Sequence, residues 1–399
     1  MNNRVYTSCT NAMKRIMVIV VLLVVLVGCR EEAIEKAVEK KVNSRFIPAS
    51  GTPYSVIAED LNGDGLKDAV FFTKYSGLDI YFAQGNALSL TEPTHINTSL
   101  GTAISSGDFN GDKVPDLAYI YEDKIHLLIN DGSGTNYDMS HELTAPKYGF
   151  DLKTPDLNND GISDIAAVGV FDQQLYLYLS KGPLEYELTK MDIKSPLLTE
   201  VFAAKVLSVD DVNEDGFIDI LVPEFKNNAL WLIKNIDGKT FQPILLKSFA
   251  YADPAEFNNK IQYASLLFYD KDKDISYIIY VRGLNQSEIS ILAFNNKDQQ
   301  TTLVKTAPLN YPFPVAIAKL PSLSPSSRNF IVTHSFKDIN SPGAISLVSI
   351  NTSDFTITTT YTFVLPCQGK MSTYMASANS VLTACTNPDG LNILSLEKQ

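Results

Sequence analysis

The chain has 399 residues, 33 Lys+Arg against 45 Asp+Glu for a formal charge of −12, and 45% hydrophobic residues. An acidic balance excludes nucleic acid as a partner, because phosphate binding needs a basic footprint. The length allows two or three ordinary domains or one large repeat architecture.

The N-terminus fixes the compartment. Met13-Lys14-Arg15 precede the uncharged run from Ile16 to Gly28 and then Cys29, an arrangement of basic region, short apolar region and small residue before cysteine. The run is shorter than the about 20 apolar residues that cross a bilayer, and it stops at Arg30-Glu31-Glu32, so it reads as a signal peptide that is removed. Removing residues 1–28 takes away Arg4, Lys14 and Arg15 and no acid, which moves the formal charge from −12 to −15. The tetrad Leu26-Val27-Gly28-Cys29 resembles the lipobox of bacterial lipoproteins. That resemblance implies cleavage before Cys29, diacylation of its thiol, and attachment to a membrane of the bacterial cell envelope. With Arg30, and not Asp, after the cysteine, it implies the outer membrane. Residues 29–43 then form the lipidated cysteine and a charged spacer, in which Ile34, Val38 and Val42 fall on one stripe of a short helix.

From residue 44 onward the chain is all-β and repetitive. The pattern Asp-x-Asn-x-Asp-x-x-x-Asp occurs four times: Asp60, Asn62, Asp64, Asp68; Asp108, Asn110, Asp112, Asp116; Asp156, Asn158, Asp160, Asp164; and Asp211, Asn213, Asp215, Asp219. The repeat length of about 50 residues suits propeller blades or solenoid units. A hard cation such as calcium takes six to eight oxygens, which side chains at positions 1, 3, 5 and 9 and a backbone carbonyl at position 7 can supply. Gly65, Gly161 and Gly216 at position 6 permit the positive φ of a sharp turn, whereas the second loop has Lys113 there and is expected to bind more weakly. An EF-hand needs a bidentate Glu at position 12. Here that position holds Phe71, Tyr119, Ala167 and Val222, and the residues after each loop are β-formers.

Each loop has a strand-like run before it and two after it, which makes a meander. Motif and setting resemble the FG-GAP and VCBS repeats, the calcium-loop repeats of the integrin α-subunit head and of bacterial surface proteins. The resemblance covers residues 54–235. It implies a β-propeller with the calcium loop joining the first and second strands of a blade, about four bound Ca2+, and the sixteen Asp and Asn residues above as ligands. Beyond it, Asp270-Lys271-Asp272-Lys273-Asp274 marks a fifth unit with a broken site, and two β-rich units follow without a loop. Counting them predicts a seven-bladed propeller over residues 44–399, with six or eight as alternatives, closed by pairing of Ser44–Ala49 with the last blade. Cys367 and Cys385 are expected to form a disulfide in that closing blade.

No nucleophile elbow, phosphate loop or zinc spacing is present, and His95, His126, His141 and His334 have no second group at motif spacing. The expected role is therefore binding or adhesion toward a protein or glycan partner. The aromatic-containing turns Lys74–Gly77, Tyr121–Lys124, Phe171–Gln174 and Phe225–Asn228, opposite the Asp loops, are the candidate surface. The alternative is a propeller polysaccharide lyase or another carbohydrate-active enzyme, which a single sequence leaves open.

Overall fold

The structure, a computed structural model, describes residues 42–48 and 53–396 except 74–76, 86, 89–92, 100, 171, 173, 194–205, 225–228, 249–260, 284–286, 312–313, 321–325, 335–341, 369–371, 378–379 and 387–388. Every regular element among them is a strand, and none of the described residues forms a helix able to cross a membrane. Residues Arg45–Leu394 make one compact unit.

Six blades follow one another along the chain, each of four consecutive antiparallel strands. Blade 1 comprises Pro53–Glu59, Asp68–Thr73, Gly77–Tyr81 and Thr94–Ile96, with a small hairpin, Ala83–Gln84 and Ala87–Leu88, before its fourth strand. Blade 2 comprises Ile104–Gly107, Asp116–Tyr121, Lys124–Asn130 and Tyr137–Thr144, and blade 3 Gly149–Lys153, Ile165–Gly169, Gln174–Gly182 and Glu185–Asp192. Blade 4 comprises Ser208–Asp210, Asp219–Glu224, Ala229–Asn235 and Phe241–Ser248. Blade 5 comprises Ile261–Asp270, Ile275–Arg282, Glu288–Asn295 and Thr301–Pro308, and blade 6 Pro314–Leu320, Ser327–His334, Pro342–Asn351 and Ile357–Gln368.

Burial along the strands explains their composition. The second strands of blades 1, 3 and 4 are buried at every residue, on both faces, and read as near-continuous apolar runs. The fourth strand of blade 3, EYELTKMD, alternates instead, because one face lies open to water. The core is correspondingly a series of layers between blades. Val168, Leu175 and Leu177 of blade 3 pack with Ile220, Val222 and Trp231 of blade 4, and Leu78 and Ile80 of blade 1 with Leu117, Tyr119 and Leu128 of blade 2.

Two expectations are corrected here, the seven-bladed count and the end of the helical spacer at Val42 and Asn43. Six repeat blades span Pro53–Gln368. The strands that remain, Ser372–Ser377, Ser380–Thr386 and Asp389–Leu396, are only three, and their sheet has Val42–Pro48, from before the first blade, as its fourth. Dividing the length by a repeat of about 50 residues counted this composite sheet as one more repeat. Val42 and Asn43, the end of the expected helical spacer, lie in that strand. A thin apolar stripe gives a short helix little stability in water, whereas the edge of a sheet offers a row of unpaired backbone groups. Residues 29–41, like the signal peptide and Cys29, lie outside the described residues.

Candidate metal loops on the first four blades

All four Asp loops join the first and second strands of their blades, and they share one conformation. Position 2 is Leu61, Phe109, Leu157 or Val212, each fully buried, which pins the start of the loop to the core. Positions 4 to 6 stand out into solvent. Positions 4 and 6 both have positive φ: Gly63 and Gly65, Gly111 and Lys113, Asn159 and Gly161, Glu214 and Gly216. The requirement at position 4 escapes a reading of the motif alone. Its signal was the occupancy Gly, Gly, Asn, Glu, three of which favour that conformation.

Position 9 is placed differently from the other three ligand positions. Asp68, Asp116, Asp164 and Asp219 are fully buried. One carboxylate oxygen of each accepts the N–H of position 2, at 3.0 Å from Leu61, 2.9 Å from Phe109, 2.6 Å from Leu157 and 3.0 Å from Val212. The other oxygen accepts an N–H from beyond the third strand in blade 1, Ala83 at 2.9 Å, and from the third strand itself in the others: Asn130 at 2.8 Å, Ser180 at 2.6 Å and Asn235 at 2.7 Å. The carboxylate thus ties the loop to its own sheet. Burial pushes these groups up to about 6 for Asp68, Asp116 and Asp164 and to about 7 for Asp219, and the negative charges at positions 5 and 1 add to the rise.

Positions 1, 3 and 5 form the outer part of each loop. Asp60, Asp108, Asp156 and Asp211 accept the N–H of position 6 at 2.8 to 2.9 Å. Asp64, Asp112, Asp160 and Asp215 accept the N–H of position 7 at 2.8 to 3.0 Å. The Asn amide at position 3 donates to the carboxylate at position 5, at 3.4 Å in the first loop and 2.8, 3.0 and 2.7 Å in the others. Among the described residues no group of three or more His, Cys, Asp or Glu side chains is preassembled as a metal cage. The donor set still fits a hard cation: clustered carboxylate and amide oxygens, with Oδ1 of Asn213 buried and without a hydrogen-bond partner.

The fifth Asp-rich segment is built otherwise. It is a tight turn between the first two strands of blade 5, where the Lys273 ammonium lies 2.8 Å from Asp270 and Tyr269 donates to Asp274 at 2.9 Å. A side-chain cation already pairs with the first of these acids.

The histidines are scattered over three blades. His95 Nδ1 lies 2.7 Å from the buried Asp79, His126 3.3 Å from Glu142, and His141 3.6 Å from Asp138. His334 Nε2 is 2.9 Å from Ser346 Oγ, and both residues are shut off from solvent. Of the four candidate surface turns, only Tyr121–Lys124 is wholly described, and there Lys124 pairs with Glu142 of the neighbouring strand. Lys74–Ser76, Phe171, Gln173 and Phe225–Asn228 lie outside the described residues. Cys367 falls in the fourth strand of blade 6 and Cys385 in Ser380–Thr386, two different sheets, and the expected disulfide lies outside the described side chains.

Comparison with known proteins agrees with this geometry. A family model described as FG-GAP-like repeat matches residues 60–119 and 108–167, which begin at the first and second Asp loops. Integrin alpha-PS5 of Drosophila melanogaster is 26% identical over 157 residues, 34% of this chain and 15% of that protein. Integrin alpha-8 of Gallus gallus is 26% identical over 178 residues, 39% of this chain and 17% of that protein. The matched region thus spans less than a fifth of either integrin subunit. Among solved structures, BBS1N in complex with ARL6DN, soaked with mercury or with lead, superposes with a TM-score of 0.54 at 13% identity, over 89% of this chain and 98% of that one. That likeness concerns the fold alone. The chain is an all-β propeller carrying FG-GAP-like repeats.

Proposed function

We propose that the protein is a calcium-stabilised binding or adhesion lipoprotein, non-enzymatic, held to the bacterial outer membrane through Cys29 and recognising a protein or glycan partner. The observation that carries this reading is the fourfold recurrence of one loop geometry, with hard oxygen donors at positions 1, 3 and 5 on its outer side. The similarity to integrin alpha subunits supports a binding role, and the lipobox-like tetrad before Cys29 supports the anchor. Positions 1, 3 and 5 would hold the ion, which would cancel the repulsion between their carboxylates.

If extracellular calcium is about tenfold above the dissociation constant, each site contributes about 1.4 kcal/mol and four contribute about 5–6 kcal/mol. That is comparable with the stability of a whole domain. The test is a thermal melt of the chain from Arg30 with calcium, with magnesium and after chelation. Calcium is expected to raise the Tm by about 8 °C, and the triple variant Asp64→Asn, Asp160→Asn, Asp215→Asn to lose most of that rise. Equal melts in all three conditions would remove the calcium reading and leave a propeller of unassigned ligand.

A further inference from the structure

The first three Asp loops are each met by the following blade at the same atom. The carbonyl of position 2, whose side chain is buried and whose N–H is held by position 9, accepts a hydrogen bond from the following blade. Asn130 Nδ2 of blade 2 donates to Leu61 O at 2.8 Å, the Leu184 N–H of blade 3 to Phe109 O at 3.0 Å, and Asn235 Nδ2 of blade 4 to Leu157 O at 2.7 Å. The contact is close: a Cβ on Gly238 would come within 2.9 Å of Asn158 Cα, so the turn after Asn235 approaches the third loop as only glycine allows.

Asn130 and Asn235 each serve two loops at once. Their backbone N–H groups donate to Asp116 and Asp219, position 9 of their own blades, while their amides hold the loop of the blade before. This makes an unbroken chain of hydrogen bonds from Asp164 through Leu157 and Asn235 to Asp219, and another from Asp68 through Leu61 and Asn130 to Asp116. Blade 3 has Ser180 in place of this asparagine, and there the bond to the previous loop comes from the backbone of Leu184. Loops 3 and 4 have a second direct link, Asn159 Nδ2 to Gly216 O at 2.9 Å.

We propose, resting on the calcium reading above, that Asn130 and Asn235 are positioning residues that couple neighbouring metal loops, first with second and third with fourth, so that an ion in one loop strengthens binding in its neighbour; the second and third loops meet directly instead, where the Ser163 N–H donates to Asp108 O at 2.7 Å and the Asp108 N–H to Ser163 Oγ at 3.0 Å. The physical basis is that position 2 adjoins position 1, an ion ligand, and that its backbone is held at both N–H and C=O. Ordering one loop fixes the asparagine, and the fixed asparagine orders the next loop without further loss of conformational freedom. The coupling is reciprocal by linkage.

Hydrogen exchange of the full chain, followed by mass spectrometry across a calcium titration, tests this loop by loop. Asp215→Asn disables the fourth loop and is expected to raise the calcium midpoint of protection in the third loop, residues 157–162, by about fivefold or more. The same substitution in a background of Asn159→Gly and Asn235→Ser should move that midpoint less than about twofold, because both links are gone. These replacements are the residues at the same places in other units, Gly63 and Gly111 for position 4 and Ser180 for Asn235, and protection of the first loop monitors folding. An unchanged third-loop midpoint in the Asp215→Asn protein, or an equal shift in both backgrounds, would overturn the coupling. A parent protein without calcium-dependent protection in any loop would overturn the calcium reading itself, a separate outcome.

Discussion

Stability of the ion-free protein should fall as the pH rises from about 4 to 7, against the usual trend for acidic proteins, and calcium should reverse that slope. Asp68, Asp116 and Asp164 titrate near 6 and Asp219 near 7 in the fold, against 3.8 for the ordinary side chain. A folded-state value raised above the unfolded one gives stability that is fully present below the unfolded value and is lost as the pH passes the folded value. Each carboxylate therefore contributes about 3 kcal/mol of loss by neutral pH, and the four together on the order of 10 kcal/mol. That is as large as the stability of a typical domain. Carboxylates with lowered values act the other way, but Asp131, Asp237 and Asp354 sit on exposed turns where water screens them. With calcium bound, protons compete with the ion for the carboxylate oxygens at positions 1 and 5, and acid becomes destabilising. Urea melts at pH 5 and pH 7.5, in calcium-free and calcium-containing buffer, measure both slopes. Parallel curves, or an ion-free protein more stable at pH 7.5 than at pH 5, would refute the reasoning.

Other expectations follow from single residues. Asp215→Asn should leave the ion-free melt unchanged or slightly raised, since the residue is exposed and its charge opposes ionisation of Asp219, while removing the calcium response of its loop; denaturant melts in chelator and in calcium separate the two effects. Lys113→Gly should stabilise the ion-free protein by about 1 kcal/mol, because Lys113 has a φ of 69° where three sister loops have glycine, and urea melts measure it. Gly169→Ala should cost about 2 kcal/mol or more and lower the Tm by several degrees, as its Cβ would lie 2.3 Å from the Lys147 carbonyl oxygen of a neighbouring backbone segment. Removing residues 1–48 should lower the Tm relative to the chain from Arg30, because Val42–Pro48 is the fourth strand of the closing sheet.

The blades were legible because their signal is local. Each Asp loop sits between two apolar runs, and that context set strand, turn and strand without reference to the rest of the chain. The blade count was less so, because a sheet built from Val42–Pro48 and three strands near the C-terminus leaves no repeat in the sequence. The distinct place of position 9 was also hidden. An aspartate at 68, 116, 164 or 219 reads like those at positions 1 and 5, and only the fold shows two backbone N–H groups converging on it. Asn130 and Asn235 lie outside the motif altogether, 14 and 16 residues beyond the position-9 aspartates whose oxygens accept their N–H groups. Their one sequence signature is an asparagine at the end of the third strand, ahead of Asp131-Gly132 and Ile236-Asp237-Gly238, which reads as ordinary turn chemistry.

The loop therefore combines two functions that a single motif conceals. Position 9 and the buried position 2 belong to the fold: they join the first strand to the third whether or not an ion is present. Positions 1, 3 and 5 are those we assign to the ion, because their hydrogen bonds are short-range, exposed and replaceable by water at small cost. The two parts are not independent, since the charges at positions 1 and 5 raise the position-9 carboxylate beneath them. Burial is the larger cause of that rise and stays in place, but a cation at the outer positions would relieve the repulsion and shift the buried aspartate toward its ionised form, which strengthens its two N–H bonds. Calcium in such a loop would act on the core of the blade as well as on its surface, so its removal should be felt in global stability and not only in the order of an exposed turn.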